Sequence, residues 1–398
     1  MIDNLFREHF PFFRNEREWI YLDSAATTLK PNALLNATRD FYCSAGSVHR
    51  SQYDLAQTEN YELARDLVTH RFNVKSREAV IWTSGTTHSL NLVANGLAHQ
   101  MENGDEIVIS IAEHHANFIP WQQLAKRCQA KLITLAVDDH YKIDPDELKK
   151  SLSAKTKIVA LNLVSNVTGI RQPVETLIPI IRQHSSAKIV LDIAQAVCSE
   201  KVDVQKLDAD YYAFSAHKMY GPTGVGVLTG KPESLEQLSP LFFGGKMLQD
   251  VTITSLSLAQ LPYRLEAGTP NIAGIIGFGK VLEWLESWDF DLLNRGLYQL
   301  ADIAHKRLKE EKNLQIIGSG ETTPTISFML KHQHHADVAA ILTEQHIAIR
   351  AGEHCAKPYI RYLSHSGTVR ISLAHYNNRQ DLAYFFKALG VAQEILGD

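Results

Sequence analysis

The run Tyr211-Tyr212-Ala213-Phe214-Ser215-Ala216-His217-Lys218-Met219-Tyr220-Gly221-Pro222 decides the reading of this chain. Its first four residues are apolar and aromatic, the composition of a buried strand. The strand runs into a Ser, a His and a Lys, and then into a Gly-Pro turn. A lysine in apolar company has its pKa lowered by desolvation, which frees the amine lone pair for Schiff-base chemistry. Ser215 and His217, just before it, can donate hydrogen bonds to a phosphate. A reactive amine, phosphate donors and a buried strand together point to pyridoxal 5'-phosphate (PLP). A solvated lysine in a surface turn has the same local sequence, so the choice rests on the rest of the chain.

Around that run, from about residue 78 to 230, short β-rich apolar segments alternate with helical spacing. The segments are Ala79-Val80-Ile81-Trp82, Glu106 to Ile109, Lys131 to Leu135, Ile158 to Asn162 and Ile189 to Asp192; Ser89 to Leu97 and Val174 to His184 read as helices. This alternation predicts a mostly parallel sheet covered by helices, with strands apolar enough for burial on both faces. Gly224 to Leu228 would return from the Tyr211 strand as a strand-turn-strand unit. Beyond about residue 272 the texture changes to two long amphipathic helices, Ala273 to Glu286 and Leu292 to Glu311. Strands at Thr325 to Leu330, Ile347 to Arg350 and Val369 to Leu373 follow, with helices at His335 to Glu344 and Arg379 to Leu396. The expectation is an α/β chain with a large domain over residues 20–280 and a smaller α+β domain over 281–398. Residues 1–19 are expected to pack on the smaller one.

Four further clusters bear on chemistry. Trp82-Thr83-Ser84-Gly85-Thr86-Thr87-His88 follows a strand and opens a helix, where free amides and the helix dipole favour an anion; the same residues also serve as a plain N-cap. Asp192 ends a buried parallel strand, where a carboxylate needs a partner, and ligands in such sheets bind beyond the strand ends. A pyridinium nitrogen fits it, with Gln195 three residues on in reach of the ring oxygen; a helix cap is the competing reading. His114, in Glu113-His114-His115-Ala116-Asn117, is placed to stack on a planar ring or to lie on the surface. Cys355, in Arg350-Ala351-Gly352-Glu353-His354-Cys355-Ala356-Lys357-Pro358, is a candidate thiolate. Arg370, on the following strand, suits a carboxylate gripped by two parallel hydrogen bonds; a structural ion pair is its alternative.

Composition excludes other classes. With 40 Lys+Arg against 44 Asp+Glu the net charge is -4, and no run of one sign offers a footprint for nucleic acid. The longest apolar runs are too short for a membrane helix. Met1 to Glu18 mixes charges among aromatics and lacks the apolar centre of a secretory signal, so a cytoplasmic location is expected. The 4 cysteines are scattered, without metal-ligand spacing or a disulfide framework.

In combination these motifs resemble the group II (CsdA/SufS-like) cysteine desulfurases, PLP enzymes of the class V aminotransferase fold. The resemblance covers nearly the whole chain. It rests on Tyr21-Leu22-Asp23-Ser24-Ala25-Ala26-Thr27, Val48-His49-Arg50-Ser51, Gly85-Thr86-Thr87, Glu113 to Asn117, Ser165-Asn166-Val167-Thr168-Gly169, Asp192 to Gln195, Ser215 to Gly224, Glu266-Ala267-Gly268-Thr269-Pro270-Asn271 and the Cys355 loop.

It implies the PLP-dependent transferase fold type I, a mostly parallel sheet sandwiched by helices plus a small α+β domain. Lys218 would be the Schiff-base lysine, Asp192 the partner of the pyridine nitrogen and Gln195 of the ring oxygen. His114 would stack on the ring in preference to His115. Thr86, Thr87, Ser215 and His217 would hold the phosphate, and Thr269 would reach the phosphate of a neighbouring subunit, implying a homodimer. Arg370 and Asn166 would bind the α-carboxylate of L-cysteine. Cys355 would attack the sulfur of the cysteine-PLP adduct, leaving a persulfide and L-alanine.

A SufE- or CsdE-like acceptor would then come to a buried persulfide; the sequence leaves open whether iron-sulfur cluster assembly, tRNA thiolation or another relay receives the sulfur. Many SufS-like enzymes carry a second His before the His-Cys pair, where this chain has Glu353, and a carboxylate two residues away disfavours a thiolate. Selenocysteine lyase, cysteine sulfinate lyase or another class V PLP activity is the alternative; an inactive scaffold fits poorly with Lys218, Asp192 and Arg370 intact.

Overall fold

The alternating segments assemble into one seven-stranded sheet in the computed structural model, which describes residues 2–44, 46, 48 and 54–397. His49, Arg50 and Ser51 of the resemblance motifs lie outside the described residues. A short strand, β1 (Ile20–Tyr21), precedes the sheet in sequence. The sheet comprises β2 (Val80–Thr83), β3 (Glu106–Ser110), β4 (Lys131–Leu135), β5 (Thr156–Asn162), β6 (Lys188–Asp192), β7 (Tyr211–Ser215) and β8 (Gly226–Gly230), in the order β2-β8-β7-β6-β5-β3-β4.

Neighbours from β7 to β4 pair in parallel, whereas β8 runs antiparallel to both β7 and β2. Val, Ile, Leu and aromatic side chains fill β2, β3 and β5 to β8, which are buried on both faces. The exception is β4, whose residues are mostly half-buried or exposed because it forms the sheet edge. Thr83, Ser110, Asn162, Asp192 and Ser215 therefore all end strands of one direction and emerge at one rim of the sheet.

After a hairpin of β9 (Leu248–Val251) and β10 (Leu256–Leu258) comes the second sheet. It is built from β11 (Leu314–Ile317), β12 (Thr325–Leu330), β14 (Arg350–Gly352) and β15 (Thr368–Ser372), in the antiparallel order β11-β12-β15-β14. The single strand expected from Ile347 to Arg350 is split. Its first part, β13 (Ile347–Ala348), pairs in parallel with β1, and the rest, β14, pairs with β15. Each sheet has its own apolar core.

The changeover between cores comes later than residue 280. Val281, Leu282 and Leu285 still pack in the larger core, and within the helix Phe290–Glu310 Leu293 belongs to the larger core and Leu297, Leu300 and Leu308 to the smaller. The N-terminal residues touch both lobes rather than the smaller alone. Phe6 and Phe10 sit in the larger core, with Phe6 stacked 4.9 Å from Trp284, while Arg7 pairs with Asp381 at 2.9 Å.

The segment Leu22 to Thr28 is the seam. Leu22 N–H donates to Ala348 O, Ser372 N–H donates to Leu22 O, and Thr28 N–H donates to His217 O. It thus runs from the small sheet to the end of β7, past the rim where the polar strand ends gather.

Candidate active site

At that rim a cavity of about 250 Å³ is lined by Ala25, Thr86, Thr87, His114, Asn166, Asp192, Gln195, Ser215, His217, Lys218, Arg350, Cys355 and Arg370, among others. Every expected site residue except Thr269 is in it. Strand ends, helix starts and β14–β15 each contribute, so the constellation exists only once both lobes are folded.

Lys218 is half-buried as a side chain, but its amine lies deep and donates to the carbonyl oxygen of Ala25. Burial first, and then the Arg370 charge, push its pKa down to about 7, with Asp192 and Asp23 working the other way. Near neutrality much of the amine is therefore unprotonated and nucleophilic. Asp192 is buried; its Oδ1 accepts from Ala194 N–H at 2.9 Å, and burial raises its carboxyl to about 6. A carboxylate so desolvated gains from a cationic nitrogen placed against it. Gln195 Nε2 donates to the same Ala25 oxygen at 2.9 Å.

The phosphate-type cradle is formed by Gly85 and the start of the helix Thr86–Gly96. Thr86 N–H donates to Ser215 Oγ at 2.8 Å, and the two hydroxyls lie 2.7 Å apart. Gly85 has φ +153°, a backbone open to glycine, and a Cβ on Gly226 would come 2.4 Å from Gly85 Cα. The two glycines let β8 close on the cradle. His217 is neutral at pH 7, its pKa lowered to about 4 chiefly by burial, and its Nδ1 is buried without a partner among the described residues.

His114 is likewise held neutral, at about 4, by burial and the nearby Lys218 charge; its Nδ1 accepts from Ala116 N–H at 3.0 Å. The turn carrying it is locked from beneath by Glu113, a buried residue to which the sequence alone assigns no role. Glu113 Oε1 accepts from Asn162 N–H and Nδ2 at 2.9 Å, and Oε2 accepts from Asn117 Nδ2 at 2.6 Å. Burial raises this carboxyl well above the carboxylate range.

Cys355 sits in a loop with two successive left-handed residues, His354 (φ 53°) and Cys355 (φ 54°). This turn projects the thiol to the cavity mouth. In the single chain Cys355 is exposed, in contrast to the buried sulfur expected. Asn166 Nδ2 donates to His354 O at 2.7 Å, so its side chain pins this loop. His115, the less favoured of the two histidines for ring stacking, holds the loop too: its N–H donates to Cys355 O at 2.7 Å, and its Nε2 accepts from Lys357 N–H at 3.1 Å. Glu353 is paired with Lys357 at 3.0 Å, so its charge is partly answered within the loop.

Arg370 is buried on β15. Its Nη1 donates to the backbone oxygen of Asn166 at 2.8 Å, its Nη2 meets Asp23 Oδ1 at 3.2 Å, and its Nε has no partner among the described residues. Asp23 and the Ala25 carbonyl are visible in the sequence only as part of a longer motif. Thr269 is exposed and outside the cavity.

The residues fit a phosphorylated pyridine. A desolvated amine, a buried carboxylate, neutral imidazoles with an unpartnered nitrogen, and a helix-start cradle are the groups such a cofactor needs. The aminotransferase class-V model matches residues 20–385. The chain belongs to the class-V aminotransferase family. Within this family, a probable cysteine desulfurase of Haemophilus influenzae is 52% identical over 390 residues, which is 98% of this chain and 89% of that protein. The crystal structure of Escherichia coli cysteine desulfurase CsdA (S-sulfonic acid) superposes with TM-score 0.94 at 39% identity, covering 99% of each chain. An apo cysteine desulfurase from Thermococcus onnurineus gives TM-score 0.91 at 34% identity, covering 98% of this chain and 97% of the other. This class-V chain has no helix among its described residues that is long and apolar enough to cross a membrane.

Proposed function

We propose that this protein is a PLP-dependent cysteine desulfurase. The observation that carries the reading is one cavity that holds a nucleophilic amine, a carboxylate-binding arginine and a thiol: Lys218, Arg370 and Cys355. Bound PLP would supply an electron sink that loosens the bonds around the substrate α-carbon. Lys218 would hold it, Asp192 would keep the ring nitrogen protonated, and Gln195 would bond the ring oxygen. His114 would lie on the ring. Thr86, Thr87, Ser215 and His217 would hold the phosphate, with Thr269 of a second copy completing the site in a homodimer.

Arg370, through its free Nε, binds the carboxylate of L-cysteine, with Asn166 fixing the cysteine-bearing loop alongside. The net reaction balances as L-cysteine plus the Cys355 thiol giving L-alanine plus the Cys355 persulfide. The carbon–sulfur bond of the substrate breaks, a sulfur–sulfur bond forms at Cys355, and the hydrogen count is unchanged. The exposure of Cys355 supports hand-over to a SufE- or CsdE-like acceptor thiol, in the cytoplasm.

The test is alanine and sulfide formation from L-cysteine, with and without candidate acceptors. Cys355→Ala is expected to abolish sulfide release from cysteine while sparing selenocysteine lysis, which needs no protein thiol. Equal loss of both activities would overturn the role given to Cys355 and favour the lyase reading.

A further inference from the structure

Lys218 is reached by a second cavity, of about 220 Å³, which lies between the lobes. Lys218, Gln195, Ala25, Ala194 and Val164 line both cavities, so the two meet at the lysine side chain. Exposed Cys355 marks the mouth of the first; exposed Tyr298 and Glu321 mark the mouth of the second. At the junction stands the buried Ala25 carbonyl, which accepts from Lys218 Nζ and from Gln195 Nε2. Ser199, Glu200, Thr322 and Thr323 give the interlobe cavity polar walls. Its arginine, Arg171, is spent on Glu175 and, at 3.0 Å, on Glu200, so the walls suit water rather than an anionic substrate. The volume admits several waters of about 30 Å³ each.

We propose that the interlobe cavity is a second solvent route to Lys218, through which water exchanges the proton held by its amine while the Cys355 side is covered. The route itself needs no cofactor; its use in turnover rests on the function proposed above. An acceptor protein that takes sulfur from Cys355 has to cover the first mouth, and a lysine reached only from there would lose contact with bulk water. Cofactor binding adds a second need for that water. With Lys218 and Gln195 both turned to the cofactor, as proposed, the Ala25 oxygen gives up both donors, and a buried carbonyl needs another. Water from the interlobe cavity is the donor at hand.

The experiment treats the cofactor-free protein with cyanate and reads carbamylation of Lys218 by peptide mass spectrometry, with surface Lys306 as the internal reference. Isocyanic acid adds to an unprotonated amine: a nitrogen–carbon bond forms, and a proton passes from the amine to the cyanate nitrogen. A bulky maleimide on Cys355 caps the first mouth. Cys198, which lines the interlobe cavity, is replaced throughout by Cys198→Ala so that the maleimide does not enter there. Ser199→Trp or, from the other lobe, Thr322→Trp plugs the second cavity, so one plug that fails to fold leaves the other. Either block alone is expected to cost no more than about twofold, since the routes act in parallel; both together should slow labelling about tenfold or more, because it then waits on local opening. A cap that stops labelling by itself, or plugs that add nothing to the cap, would overturn the proposal.

A second arm follows the holoenzyme in D2O with L-cysteine and a saturating SufE- or CsdE-like acceptor. The hydrogen on the substrate α-carbon passes through the Lys218 amine, and an amine in exchange with water returns deuterium in its place. Alanine from the wild type is expected to keep little of that hydrogen, and alanine from Ser199→Trp severalfold more. Equal retention in the two would overturn the role in turnover. A wild-type enzyme that forms no alanine would sink the proposed function, while the carbamylation result still decides the route.

Discussion

Burial acts on Lys218 and Asp192 with opposite chemical consequences: it makes the amine a better nucleophile and the carboxylate a stronger claimant for a cation. The lysine effect is also a stability statement. In the cofactor-free protein the folded-state pKa of Lys218 is depressed to about 7, from an ordinary value near 10.5. Between those values the unfolded chain binds a proton that the folded chain does not. The folded state is therefore favoured above the unfolded value and loses that stability as pH falls toward 7.

The stability of cofactor-free Lys218→Met relative to wild type should accordingly grow as pH drops from 10 to 7, by on the order of 1.4 kcal/mol for each step of one in pH, and level off below 7. Paired denaturant titrations across that range would check it, and a flat difference would mean that the amine is solvated. At this scale the sequence was informative where the chemistry is local, because a Ser-Ala-His-Lys run at a strand end carries its own meaning. It was silent on Asp23, whose carboxylate pairs with Arg350 and Arg370, two residues that β14 and β15 set opposite each other more than three hundred positions away.

The Cys355 loop is the element where function meets backbone strain. Two non-glycine residues in left-handed conformations cost roughly 1–3 kcal/mol each unless their surroundings hold them, and neither His354 nor Cys355 announces such a conformation in the sequence. What holds them is distributed: Asn166 on His354 O, His115 on Cys355 O and Lys357 N–H, and Ala356, Tyr359 and Ile360 packed on Ala112, Val137 and Val167 of the larger lobe.

His115 is the member that can be altered without touching the cavity wall. His115→Ala removes an acceptor worth about 1 kcal/mol, a factor of about five in a rate that depends on thiol placement. Single-turnover persulfide formation from cysteine should slow by about that factor, while selenocysteine lysis keeps its wild-type rate. Equal slowing of both would show that His115 serves the cofactor pocket instead. The same contrast explains what was legible among the elements. Apolar parallel strands and the capped helix Arg379–Leu396, with its Asn378–Asp381 capping box, follow from short-range pattern. The division of Ile347 to Arg350 into β13 and β14 follows from β1 arriving beside it, which no local pattern encodes.

At the scale of the whole molecule, one expected site residue stays outside the cavity, and three large apolar side chains not far from it in sequence are exposed. Thr269 is exposed on a segment tied to the β9–β10 region by Gly268 N–H donating to Gly245 O at 2.9 Å. Close by in sequence are Phe242, Phe243 and Ile253, exposed by 59%, 65% and 104%. Large exposed apolar side chains suit an interaction surface, and in the proposed homodimer a second copy covering them would bring its Thr269 to the site.

The two features make one prediction. Ile253→Asp combined with Phe243→Asp should shift the protein from dimer to monomer in sedimentation velocity. The monomer should lose PLP faster on dialysis if, as proposed, the Thr269 hydroxyl of the second copy holds the phosphate. Thr269→Ala alone should keep the dimer yet weaken PLP retention by about tenfold, the size of one hydrogen bond to a charged group. A dimer that persists in the double variant would place the interface elsewhere. A monomer that retains PLP as tightly as wild type would show that Thr86, Thr87, Ser215 and His217 suffice and that each chain carries a complete site of its own.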